Sequence, residues 1–192
     1  MTQQEVTTIY LEMTNISQFV PKKGFKEKLF VQEIENNVFV NFMLFAGVGL
    51  PWKWYSRLEW SVDDWAGYFS GNNCKTYLGF KGKQLIGYFE LEIHGTDDVE
   101  IKFFGLFPQF IGSGSGGLFL SHVIDTAWQL GANRLWLHTC TNDQPNAIAN
   151  YLARGFAVFK QKKEIENIPD KQELLNKIGH FFSRYIDQNT QC

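Results

Sequence analysis

The sequence predicts an α+β domain, mixed in character, with a central mixed, mostly antiparallel sheet flanked by helices. Two observations carry that expectation. Residues 75–108 hold three runs that alternate apolar and polar side chains, separated by Lys-Gly-Lys and Gly-Thr-Asp-Asp, both natural hairpin turns. From Ser115 the period changes to helix, strand, helix, strand, which calls for a right-handed strand-helix-strand crossover and so makes the sheet mixed. At 192 residues the chain suits one domain over residues 1–168. A C-terminal amphipathic helix over 169–192 packs on it or forms a homodimer interface.

Each element follows from local pattern. "TTIYLEMTN" and "KLFVQEIEN" alternate with β-branched or aromatic members and read as strands, with the turn-forming "VPKKGFKE" between them. Apolar residues at helical spacing from Phe39 to Phe45 predict a helix that breaks at Gly47, Gly49 and Pro51 into an aromatic-rich loop. Ser61 with Asp64 three residues on resembles a capping box and opens a short helix closing near Gly71. The middle strand of the meander, Leu85 to His94, puts Phe89, Leu91 and Ile93 on one face and Tyr88, Glu90, Glu92 and His94 on the other. Leu118, Val123, Ile124, Ala127 and Trp128 share one side of a helix from Ser115 to Leu130, with Gly131 as its C-cap. "NRLWLHTC" is a strand, and "DQPNAIANYLARGF" is a helix of about ten residues with Pro145 in its first turn and Gly155 at its stop. "FAVFKQKKEIEN" closes the sheet, and Leu174, Leu175, Ile178, Phe181, Phe182 and Tyr185 line one further amphipathic helix after Pro169.

Composition narrows the function. Lys and Arg number 18 against 20 Asp and Glu, a formal charge of -2, so the basic excess expected of a nucleic-acid binder is missing. The three cysteines, Cys74, Cys140 and Cys192, show no CxxC and no metal-ligand spacing; free thiols in a reducing cytosol, and no metal site, are expected. No signal-like start and no run of roughly 18 apolar residues appears, so the expected location is cytoplasmic, without a membrane partner.

The most informative stretch is "QFIGSGSGGLFL", Gln109 to Leu120. Bare amides opening a helix form an anion site, because the first-turn N–H groups lack partners and the helix dipole adds positive charge. Gly112-x-Gly114-x-x-Gly117 also satisfies the dinucleotide fingerprint, yet it follows an antiparallel meander, and the next strand, "RLWLHTC", carries no acid. No Lys-Ser or Lys-Thr follows the last glycine, which excludes a Walker A loop.

In "GLFPQFIGSGSGG", Leu106 and Pro108 end a strand, and Gln109, Gly112 and Gly114 follow as Gln-x-x-Gly-x-Gly; about 30 residues on stand Ala147, Tyr151, Gly155 and Phe156. This pair of motifs resembles the GNAT superfamily of N-acetyltransferases over residues 77–160. One departure is Gln144, where the family usually has Asn, with Asn142 and Asn146 nearby. The resemblance implies a GNAT-like acyl-CoA N-acyltransferase fold and acetyl-CoA as cofactor. Its pyrophosphate would rest on Gln109, Phe110, Ile111, Gly112, Ser113, Gly114, Ser115 and Gly116, and its pantetheine would run beside Leu106 and Phe107, with Asn146 and Tyr151 across from it. It further implies an amine acceptor, small molecule or peptide, attacking directly.

That chemistry needs a base, oxyanion support and a proton for the leaving thiolate. By resemblance, the base is Glu100, the acid is Tyr151 and the oxyanion donor is a backbone N–H near Leu106. Tyr151 also fits plain packing on the sheet, and Glu90, Glu92 and His94 fit a solvated sheet face as well as a site. His138 reads as a satisfied core histidine, and Cys140 as a structural thiol. The aromatic fraction, 16%, concentrates in "LPWKWYSRLEWSVDDW". Trp52, Trp54, Tyr55, Arg57 and Trp60 are candidate walls of the acceptor pocket, with Glu90 and Glu92 behind them to suit a cationic amine; core packing explains the tryptophans equally well. Two rival functions stay open, a CoA-binding sensor without turnover and a small nicotinamide-dependent oxidoreductase.

Overall fold

The computed structural model describes residues 2–23 and 29–190. Part of the "VPKKGFKE" turn, the first residue of "KLFVQEIEN" and Cys192 lie outside the described residues. In chain order the elements are β1 Thr2–Met13, β2 Leu29–Ile34, α1 Val38–Gly49, α2 Val62–Ser70, β3 Cys74–Lys81, β4 Gln84–His94, β5 Asp98–Leu106, α3 Gly116–Gln129, β6 Arg134–Cys140, α4 Ala147–Ala153, β7 Ala157–Ile168 and α5 Lys171–Asn189.

Among the described residues, seven strands form one sheet in the order β2-β3-β4-β5-β6-β1-β7. Among the described residues, only β5 and β6 run parallel; every other neighbouring pair is antiparallel. The two early strands do not pair with each other. β1 inserts between β6 and β7, while β2 sits on the opposite edge. The final strand, β7, does close the sheet, as its outer strand beside β1.

One face carries α3 and α4 over a core of Leu11, Ile86, Phe89, Leu91, Phe119, Leu120, Ile124 and Tyr151. The other face carries α1, α2 and α5, where Phe42, Phe45, Trp65 and Phe181 meet, with Leu44, Val48 and Tyr88 beside them. Burying these side chains contributes roughly 1.5–3 kcal/mol apiece, which is what holds the helices on the sheet.

Local signals mostly place the elements. Ser61 and Asp64 do form a reciprocal capping box on α2, and Asn37 caps α1. The expected break at Gly47 does not occur. α1 runs on to Gly49, and Gly47 faces the Phe107 ring, where a Cβ would sit 3.0 Å from the ring edge. Pro145 lies in the turn before α4, which has seven residues rather than ten and begins after Asn146. In α5, Leu174, Ile178, Phe181, Phe182 and Tyr185 pack against α1 and α2, but Leu175 points to solvent. Among the described residues, no helix is long and apolar enough to cross a membrane.

Candidate active site

The ladder between β5 and β6 covers only Asp98–Ile101 against Arg134–Leu137. Beyond it, β5 stays paired to β4 through Leu106 and β6 stays paired to β1 through Cys140, so the two strands are pulled apart by their outer neighbours. The gap opens into a cavity of about 860 Å³, walled by residues 101–106 of β5 and His138, Thr139 and Cys140 of β6. That volume lies in the ordinary range for a small-molecule or cofactor site.

At one end of the cavity stands the glycine loop. Gly112 and Gly114 adopt φ of 80° and 78°, a left-handed conformation that disfavours any residue with a Cβ. The Ser113 hydroxyl donates to the Phe110 carbonyl at 2.7 Å and lies 2.9 Å from the Ser115 hydroxyl, so both serines are spent inside the loop. No side chain caps α3, and the amides of Gly116, Gly117 and Leu118 have no acceptor among the described residues. Gly112, Gly114, Gly116 and Gly117 all line the cavity, with Leu106, Ile111, Asn146 and Tyr151. Of the other expected cofactor residues, Phe107, Gln109, Phe110, Ser113 and Ser115 support the loop without lining the cavity.

The opposite wall is the aromatic loop after α1, with Trp52, Trp54 and Tyr55. It is stapled to the end of β6: Trp54 Nε1 donates to Asp143 at 2.9 Å, and Asp143 also accepts from the Thr139 hydroxyl at 2.6 Å and the Cys140 amide at 3.0 Å. Lys53 Nζ donates to Gln4 at 2.8 Å and Asn142 at 3.2 Å.

Arg57, Glu90 and Glu92, expected at the acceptor pocket, are not brought to it. Arg57 turns inward to a 2.7 Å ion pair with Glu90, both essentially without solvent contact. Its guanidinium fills an aromatic cage of Trp60, Trp65, Tyr68 and Phe103, 4.2–5.1 Å from the ring centres. Trp60, expected as a wall of the acceptor pocket, therefore serves the protein's own cation instead. Burial raises the Glu90 carboxyl above its usual range, with Arg57 opposing. The expected alternation of β4 holds, with Phe89, Leu91 and Ile93 toward α3 and Tyr88 and Glu90 toward α1. However, helices cover the polar side near its centre, where solvent was one expectation.

Glu100 does not line the cavity either. Its side chain is 2% exposed and accepts from three groups: His94 Nε2 at 3.2 Å, Lys102 Nζ at 3.1 Å and His138 Nδ1 at 3.2 Å. Burial alone raises its carboxyl, but the His138 hydrogen bond and the Lys102 charge outweigh that and hold it below the usual carboxylate range. A carboxylate so held is a weak base. His138, by contrast, is no core histidine: its side chain is 43% exposed and lines the cavity. With Nδ1 on Glu100, its Nε2 has no partner among the described residues. Sequence reasoning missed it because strand alternation does not reveal where a sheet splits.

The placement of Lys102 has a similar cause. The register of β5 on β4 skips it between Ile101 and Phe103, a bulge that turns its side chain to the cavity wall. Lys102 also lies 3.2 Å from Glu92, so its ammonium supplies the positive charge among Glu92, His94 and Glu100, the one group of ligand-type side chains that converges among the described residues.

Tyr151, the buried residue of α4, reaches the cavity from the other side. Burial, and then the Asp143 charge, push its phenol up, so the proton stays on at neutral pH. Cys140 also lines the cavity, and burial followed by Asp143 raises its thiol, which disfavours a thiolate nucleophile.

Known proteins share this fold. A GCN5-related N-acetyltransferase from Sphaerobacter thermophilus matches with TM-score 0.60 and 13% identity, over 86% of this chain and 52% of that one. One from Kribbella flavida gives 0.60 and 12%, over 88% and 61%. An acetyltransferase from Bacillus subtilis, solved in complex with CoA, gives 0.53 and 19%, over 69% and 79%. These identities establish a shared fold alone. The chain spans between about half and under two thirds of the length of the first five such structures. No curated protein matches the sequence. The sequence model of the Acetyltransferase (GNAT) family matches residues 23–156, more than half of the chain, so the chain belongs to the GNAT family.

Proposed function

We propose that the protein is an N-acetyltransferase that moves an acetyl group from acetyl-CoA to an amine by direct attack inside the split between β5 and β6. The observation that carries this reading is the split itself, lying beside a helix N-terminus with free amides. The site fits the cofactor. Gly112 has open space where a Cβ would stand, and the uncapped first turn of α3 offers donors to phosphate oxygens.

Acetyl-CoA, when bound, supplies an activated acetyl thioester. The protein supplies the rest. The unpaired edges of residues 102–106 and 138–140 offer backbone groups to an extended ligand, as a sheet edge does to a strand. A backbone N–H near Leu106 is the proposed oxyanion donor. His138 Nε2 takes the proton of the incoming amine, and Glu100 positions the ring through Nδ1. Glu100 thus becomes a positioning residue, and the base is His138. The Tyr151 hydroxyl, kept protonated by burial, donates the proton a departing thiolate needs. Trp52, Trp54 and Tyr55 form the wall against the acceptor. The acceptor is a small-molecule or peptide amine, and the reaction is cytoplasmic.

The test is thiol release from acetyl-CoA across a panel of amines, amino acids and peptides, with wild type and Tyr151→Phe. Turnover with at least one amine, reduced on the order of 10²-fold by the substitution, is expected. Binding of CoA without thiol release from any amine would leave a CoA-binding sensor. Thermal stabilisation by NAD and none by acetyl-CoA would leave an oxidoreductase.

A further inference from the structure

Resting on the acetyl-transfer reading, we infer that the acceptor is an aminocarboxylate, an amino acid or short peptide, and that Lys53 holds its carboxylate at the aromatic wall of the cavity. Apart from His138, six charged side chains line that cavity: Lys53, Lys102, Lys177, Glu59, Asp143 and Glu166. Four of them are satisfied inside the protein. Lys102 pairs with Glu92 at 3.2 Å and Glu100 at 3.1 Å, and Lys177 pairs with Glu59 at 2.7 Å and Glu173 at 3.2 Å. Asp143 accepts from Trp54, Thr139 and the Cys140 amide. Among the described residues, Lys53 and Glu166 are left without an ion pair.

Lys53 is built into place. Its ammonium donates to Gln4 Oε1 at 2.8 Å and to Asn142 Oδ1 at 3.2 Å, and Gln4 Nε2 donates to that same Asn142 oxygen at 3.0 Å, which ties the two neutral amides together. An ammonium has three N–H groups, so one is left without an acceptor among the described residues. The backbone fixes the same residue. Lys53 stands at φ 58° and ψ 36°, a left-handed conformation unfavourable for a side chain with a Cβ. It is held there because the Lys53 amide donates to the Leu50 carbonyl at 3.2 Å and the Trp54 amide to the Gly49 carbonyl at 3.1 Å. That turn sets Trp52, Lys53 and Trp54 on one cavity wall. Gln4 belongs to β1, ahead of the family match that begins at residue 23, so a strand of the chain's own places this charge. One fixed ammonium with a spare donor fits one carboxylate, whereas a protonated amine that lacks a carboxylate meets it as a like charge. Glu166, opposite Gln4 in the β1–β7 ladder, offers the complementary charge to the ammonium end of a zwitterion.

Thiol release from acetyl-CoA is measured with alanine, phenylalanine, lysine, dialanine and trialanine, each beside its carboxamide, on wild type, Lys53→Met and Lys53→Arg. In the best accepted pair, wild type favours the acid over its amide by about tenfold or more in kcat/KM, chiefly through KM. Lys53→Met keeps a straight chain at the same φ and brings that ratio to within about twofold of unity; Lys53→Arg retains most of it. A general disturbance of the cavity lowers acid and amide alike, so a ratio that Lys53→Met leaves intact overturns the inference. Wild type that favours the amides, or that releases thiol only with amines lacking a carboxylate, also overturns it, and in these three cases acetyl transfer stands. Thiol release with no amine at all overturns both.

Discussion

Replacing His138 by asparagine removes one ring nitrogen and leaves the rest of its network in place. The asparagine Nδ2 stands where the imidazole Nδ1 was, so the 3.2 Å hydrogen bond to Glu100 survives and the buried carboxylate keeps all three donors. At a side chain 43% exposed the stability change stays within about 0.5 kcal/mol. What is lost is Nε2, and with it general-base assistance worth roughly 10²–10⁴ in rate, or about 3–5 kcal/mol of barrier. The assay is thiol release with an accepted amine from pH 6 to 10, beside the acetyl-CoA dissociation constant and the urea midpoint. We expect kcat/KM at neutral pH to fall at least 10²-fold with binding and stability unchanged. The deficit should shrink as pH rises and the amine deprotonates unaided. A kcat/KM within threefold of wild type at neutral pH refutes the assignment of His138 as base.

Other consequences are equally specific. Gly112→Ala forces a Cβ on a φ of 80°, so it should cost about 1 kcal/mol in urea unfolding and weaken acetyl-CoA about tenfold by calorimetry; an unchanged affinity takes the loop out of the site. Arg57→Met strands the Glu90 carboxylate, which has no solvent contact, and should cost roughly 3–5 kcal/mol. The double variant Arg57→Met, Glu90→Met should recover most of this, and an equal loss in both variants contradicts a mutual ion pair. Because the folded structure holds Glu100 below its ordinary range, its carboxylate stabilises the protein above about pH 4.3, and that contribution fades as pH falls through the lowered value. Glu100→Gln should therefore flatten the loss of urea midpoint between about pH 5 and 3, and an unaltered slope would show that Glu100 does not titrate in this way.

How much was readable differs by residue. Ser61 and Asp64 announce α2, and Gly131 and Gly155 stop their helices at positive φ, because caps depend on partners only a few residues away. The faces of β4 follow from alternation. The position of β1 does not: its alternation marks a strand but not partners more than 120 residues later in the chain. The aromatic excess was legible as a count, yet Trp60 and Trp65 cage Arg57 while Trp52 and Trp54 face the cavity.

The sequence by itself determined the mixed sheet, the glycine loop opening a helix and, through two ordered motifs, the GNAT family. Those features are written in neighbours along the chain. Only the tertiary structure decided that Glu100 is enclosed and His138 exposed, that Lys102 sits on a bulge, and that Arg57 serves the core. Exposure and charge pairing are set by whichever distant segments pack above and beside a residue. Here, the outer neighbours of β5 and β6 pull them apart, and that opening turns a strand histidine into a group that lines a cavity.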